Sequence, residues 1–160
     1  TRCTWSMFVV PLTPADVLPR HLMHEQRGLA PLKALCERLR APVECRELAL
    51  LMCAEHTLVH RAHELRADTV LKLFKRADAL RRPARFAQLL AACRADARGR
   101  LGFADSPYPQ ADYLAALLTA AQSVDAGAIA RQCSNPADIA KAVDAAREAA
   151  VAGEKARLGK

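Results

Sequence analysis
The chain has 160 residues and a formal charge of +7, from 24 Lys and Arg against 17 Asp and Glu. That length suits one domain, or one domain with an appendage, and 52% hydrophobic with 26% charged residues excludes a disordered tail. Only 4% of residues are aromatic and six are glycine, a poor supply for a β-sandwich or barrel.

Taken in chain order, Cys3 to Val10 is the only early apolar run. It is far shorter than the roughly 20 residues of a membrane span. No basic leader precedes it and no small-residue cleavage site follows, so it does not read as a signal peptide. The first residue is Thr rather than Met, which predicts a fragment or a processed product. Pro11 and Pro14 open a loop that runs to Arg20. Leu29, Leu32, Leu35, Cys36 and Leu39 then recur at helical spacing and predict a helix from about His24 to Arg40. Pro31 sits awkwardly inside it, so a start nearer Ala30, with Pro31 in the first turn, is the alternative.

Pro42 opens a second helix from about Val43 to Ala62, with Leu48, Leu51, Met52 and Leu58 as its stripe. A third runs from Asp68 to Ala79, with Val70, Leu71, Leu73 and Phe74 on its core face. After Arg81-Arg82, Pro83 opens a fourth to about Arg98. Gly102 to Gln110 is the clearest loop. A fifth helix is expected over roughly Ala111 to Val124. Gly127 and Asn135-Pro136 bracket a linker, and a last helix spans Pro136 to Ala152 before a tail expected to fray. No strand pair, heptad array or repeat is visible, which predicts an all-α helical bundle.

The charge is uneven. Residues 20–100 hold 17 bases and 9 acids, residues 101–160 hold 6 and 7, and the first 19 residues are neutral. A phosphate-bearing partner is therefore sought along the middle of the chain. The six cysteines, Cys3, Cys36, Cys45, Cys53, Cys93 and Cys133, include no C-x-x-C pair, and they read as small buried hydrophobes in a reducing cytosol.

His56 and His60 lie four apart and so share one face of the second helix. Such a pair holds a metal only with a third ligand. Thr57 stands where a zinc peptidase needs Glu, and two polar residues on a half-exposed face is the plainer reading. Asp96 lies among Arg94, Arg98 and Arg100. These read either as surface ion pairs or as a metal-binding carboxylate beside arginines that grip phosphate.

These residues carry a resemblance. Thr13-Pro14-Ala15-Asp16-Val17-Leu18-Pro19-Arg20-His21, followed by His24-Glu25-Gln26-Arg27-Gly28, resembles the HD domain of the bacterial CCA-adding enzymes. So do Leu35 to Arg40, Glu55-His56 with His60-Arg61, and Leu80 to Phe86. The likeness is densest at Ala95-Asp96-Ala97-Arg98-Gly99-Arg100-Leu101-Gly102-Phe103 and at Pro107-Tyr108-Pro109-Gln110-Ala111-Asp112-Tyr113-Leu114. It divides the chain into a non-matching segment 1–12, a partial HD domain over 13–103 and a C-terminal helical extension over 104–160.

The resemblance implies the C-terminal part of a tRNA nucleotidyltransferase, whose head uses ATP and CTP. It also implies an associated metal-dependent phosphohydrolase with 2′,3′-cyclic phosphodiesterase, 2′-nucleotidase and phosphatase activity. A divalent metal, Mg²⁺ or Ni²⁺, is implied, with His24 and Asp96 at ligand positions and His21 and His56 as weaker candidates. Arg61, Arg81, Arg82, Arg98 and Arg100 are the candidate contacts to tRNA or to phosphate-bearing nucleotides.

The departures qualify this. The paired carboxylates of the head are absent, and so is the His-Asp dyad that names the HD fold: Trp5 to Val10 stands in its place. A truncated or frame-shifted gene is one account. Little or no hydrolase activity and no stably bound cofactor are expected of the chain as it stands, which leaves its status as an enzyme open. A free-standing HD phosphohydrolase and a non-enzymatic basic RNA-binding module are the alternatives. The expected setting is cytoplasmic, without a membrane partner. Self-association through an exposed helical face is a further expectation, and the scarcity of aromatics argues against base-specific recognition.

Overall fold
The computed structural model describes residues 23–159. The loop before Arg20, His21 and Cys3 lie outside them. The described residues hold helices α1 (His24–Arg38), α2 (Val43–His60), α3 (Ala67–Arg76), α4 (Pro83–Arg98), α5 (Pro109–Gln122), α6 (Ala126–Gln132) and α7 (Pro136–Leu158). A 3₁₀ turn, Ala62–Glu64, follows α2. No strand occurs among them, and the architecture is all-α, as the periodicity predicts.

The chain divides into two compact units. The first takes the described residues up to His60 together with Ala87–Tyr108. There α1 packs on α2 around Leu32, Cys36 and Cys53, with Leu29, Ala49 and Leu50 against them. The second takes Arg61–Phe86 and the residues from Pro109 onward. In it α7 packs on α3, α5 and α6. Its core includes Val70, Leu73, Phe74, Phe86, Leu114, Leu117 and Val151. The Phe74 and Phe86 rings meet edge to face, with centroids 5.4 Å apart, an arrangement the ring quadrupoles favour.

Three boundaries differ from expectation. Helix α1 is not one of them: it starts at His24, as the spacing predicts, and runs through Pro31, which sets aside the alternative start near Ala30. Pro31 is exposed, so the carbonyl that loses its partner is not sealed in the core. Helix α3 ends at Arg76 because Asp78 turns left-handed (φ 50°) and the Ala79 amide donates to Phe74 O at 2.8 Å, a Schellman closure. The linker around Gly127 is a helix, α6: Asp125 caps it by accepting the Ala128 amide at 2.9 Å. The tail does not fray: α7 continues to Leu158, Lys155 Nζ donates to Leu65 O, and Lys155 and Arg157 suit the negative end of the helix.

The cysteine reading needs one correction. Cys36, Cys53 and Cys93 are buried free thiols, but Cys45 is exposed and Cys133 is half-buried. Among the described residues, only the stretch 109–132 has the length and hydropathy of a membrane span. It is two helices, of 14 and 7 residues, broken by a polar cap, and Leu114, Leu117 and Leu118 of the first are buried in the second unit.

Candidate functional site
The first unit places a row of polar rings along α2. His56 and His60 stand one turn apart, with ring centroids 5.9 Å apart. His24, the first residue of α1, meets His56 edge to face at 5.1 Å. Tyr108, where the 99–108 loop ends, meets His60 the same way at 5.8 Å.

Hydrogen bonds set the protonation of each ring. His56 Nδ1 lies 3.1 Å from both Met52 O and Cys53 O. A carbonyl only accepts, so Nδ1 carries the proton and neutral His56 presents a lone pair at Nε2. That lone pair faces His24 Nε2 at 3.0 Å, and His24 donates. Burial lowers the His56 pKa below its ordinary value, and the neighbouring His24 lowers it further. His60 Nε2 lies 3.3 Å from Asp96 Oδ2, and His60 Nδ1 lies 2.8 Å from the Tyr108 hydroxyl. An ionised carboxylate only accepts, so His60 donates from Nε2, and in the neutral ring Nδ1 accepts the Tyr108 proton. The Asp96 side chain is 3% exposed, so this pairing offsets the burial of a charge.

With that geometry defined, the relatives of the chain are informative. It is 60% identical over 141 residues, 88% of its length, to the "Multifunctional CCA protein" of Chromobacterium violaceum. Identity is 56% over 92% of the chain for the protein of that name from Cupriavidus metallidurans, and 59% over 88% for that of Burkholderia cenocepacia. The chain is a relative of the bacterial multifunctional CCA proteins. It spans about a third of their length, 34–35% in each of these three. No protein-family model and no solved structure matches it.

The metal implied by likeness to the multifunctional CCA proteins meets an incomplete donor set. Among the described residues no group of three or more His, Cys, Asp or Glu is placed to hold an ion. His24 and His56 converge as two imidazoles, a pair that suits nickel or zinc better than magnesium, which takes oxygen ligands. Asp96 is engaged by His60 instead. The described residues alone therefore do not fit a catalytic metal centre.

The candidate arginines divide between the units. Arg98 and Arg100 lie in the first. Arg98 Nε donates to Ser106 O at 3.1 Å and braces the loop. The Arg100 guanidinium lies 5.4 Å over the Phe103 ring. Arg61, Arg81 and Arg82 lie in the second, where Arg61 pairs with Glu64 and the other two flank Asp78. The sequence reading missed Tyr108 as a site residue, and it placed His60 only as a helix-face partner of His56. The signal for Tyr108 was its proline-flanked position between loop and helix, but nothing in the spacing ties it to a histidine 48 residues away.

Proposed function
We propose that the chain is the C-terminal part of a tRNA CCA-end-adding nucleotidyltransferase, and that its role is to present a basic helical surface to tRNA. The observation that carries this is 60% identity over 88% of the chain to a multifunctional CCA protein of which it covers 35%. In this reading the first unit is the remaining part of an HD-type phosphohydrolase domain. His24 and His56 are its surviving imidazole ligands, and His21 or a residue from a preceding segment would supply the third. ATP and CTP serve the head, and the setting is the cytoplasm.

A functional divalent centre needs three or more donors, so hydrolysis of 2′,3′-cyclic AMP by the purified chain with Mg²⁺ or Ni²⁺ should stay at background. Robust metal-dependent turnover would refute the incomplete-site reading. Binding of unfractionated tRNA, weakening steeply with salt, is the expected positive result. Absence of any tRNA binding at low salt would overturn the proposal. The reading of a non-enzymatic RNA-binding module gains support from the concentration of basic charge over residues 61–86, with 8 bases and 3 acids.

A further inference from the structure
The loop 99–108 is braced at several points. Arg98 Nε holds Ser106 O, the Phe103 amide donates to Arg100 O at 3.0 Å and the Ser106 amide to Phe103 O at 3.0 Å. Tyr108 anchors the far end to His60. Gly102 takes φ 83°, a left-handed turn that a side chain would strain. The loop nevertheless holds two large apolar side chains in solvent: Leu101 is fully exposed and Phe103 is 46% exposed. Together these two side chains offer apolar surface that a partner could cover. Arg100 lies over the same ring, and its Nε, shielded from solvent, meets no hydrogen-bond acceptor.

We infer that Arg100 and Phe103 form a stacking platform for an unpaired nucleotide of an RNA, with Leu101 beside it and Arg98 near the phosphate. The inference rests on the tRNA-binding reading and adds a specific contact to it. The chemistry matches on three counts. An aromatic face and a guanidinium plane both stack on nucleobases. The cationic charge complements the backbone. Stacking tolerates any base, so it does not require the sequence-specific recognition that so few aromatics argue against. Double-stranded RNA keeps its bases stacked inside the helix, so it cannot use the platform.

The full chain, its Phe103→Ala, Phe103→Tyr and Arg100→Gln variants, and three probes test this by fluorescence anisotropy: unfractionated tRNA, a 12-nucleotide single strand and a blunt duplex. Circular dichroism confirms folding, which an exposed side chain should not disturb. Phe103→Ala is expected to weaken single-strand binding at least about fivefold, with duplex binding and the salt slope unchanged. Phe103→Tyr should restore affinity, and Arg100→Gln should weaken binding and lower the slope by roughly one. Parental tRNA binding with unchanged single-strand affinity in Phe103→Ala would overturn the platform alone. No RNA binding by the parent chain would overturn both readings. Self-association lost on Leu101→Ala or Phe103→Ala, without an effect on RNA, would assign the loop to a second copy and also overturn the platform.

Discussion
Tyr108 is buried, and its hydroxyl lies 2.8 Å from His60 Nδ1; in the neutral ring, with Asp96 accepting from Nε2, the hydroxyl is the donor. Removing that hydroxyl leaves the His60 lone pair without its donor, and a hydrogen bond of this kind is worth about 1 kcal/mol net. Tyr108→Phe should therefore unfold in urea with stability lower by about 1 kcal/mol and an unchanged m-value. Equal stability would show that the hydroxyl gains nothing from His60. The next ring along behaves differently with pH. The folded pKa of His56 is depressed, by burial first and by His24 second, while the unfolded chain titrates near 6.5. Its contribution to stability is complete above about pH 6.5 and is lost as the pH falls through the folded value. His24 and His60 face it, so protonation adds a charge beside other imidazoles. Asp68 and Glu154 also have depressed pKa values, Asp68 chiefly through a hydrogen bond from Lys72 and Glu154 through one from Arg157, but both titrate from ordinary carboxylate values well below this window. Loss of melting temperature between pH 6.5 and 5 is thus expected of the parent, and His56→Gln should flatten it. An unchanged slope in that variant would place the titration elsewhere.

At the scale of helices, two ends close by the same device. Asp78 and Arg40 both adopt φ 50°, and the Ala41 amide donates to Cys36 O at 2.9 Å just as Ala79 donates to Phe74 O. Left-handed backbone costs a residue with a β-carbon roughly 1 kcal/mol, and glycine is the common solution at this position. Asp78 has a compensating role between Arg81 and Arg82, at 3.8 and 3.6 Å. Arg40 is exposed and has no such role in the structure, so Arg40→Gly should stabilise the chain by about 0.5–1 kcal/mol. A lower melting temperature in that variant would refute this account of the α1 end. The legibility of the helices follows the same logic. Starts marked by Pro83 or Asn135-Pro136 were readable because the signal is local, as was the core face of α3. The end of α3 was not, since Asp78 replaces the glycine that would have marked it. Helix α6 was hidden because Gly127 reads as a breaker unless Asp125 is recognised as a cap. In the candidate site, the His56–His60 spacing was legible, whereas the pairing of His60 with Asp96 and Tyr108 depends on which segments the fold brings together across 36 and 48 residues.

At the scale of the whole molecule, the basic excess is narrower than the span 20–100 that composition marks out. Residues 23–60 hold five bases and five acids, 87–108 hold three and two, and 109–160 hold six and six, so the surplus falls on 61–86 with eight against three. The histidine row in the first unit thus lies in nearly neutral sequence, while the second unit carries the charge that suits a polyanion. Arg81 and Arg82 are adjacent members of it: their side chains are 82% and 56% exposed, and both approach the Asp78 carboxylate at loose distances. Exposed ion pairs of this sort contribute 0–1 kcal/mol at most, so a phosphate can displace Asp78 at little cost. Each phosphate contact releases bound counterions and adds roughly one to the slope of log affinity against log salt. Replacing both arginines with Gln should lower that slope for tRNA by about two and weaken single-stranded and duplex RNA alike. The stacking variant Phe103→Ala, by contrast, should leave the slope in place. Measuring the slope between 50 and about 200 mM salt decides the matter: an unchanged value in the double variant would remove the 77–82 turn from the RNA-binding surface and shift the search to Arg61, Arg66 and Arg76.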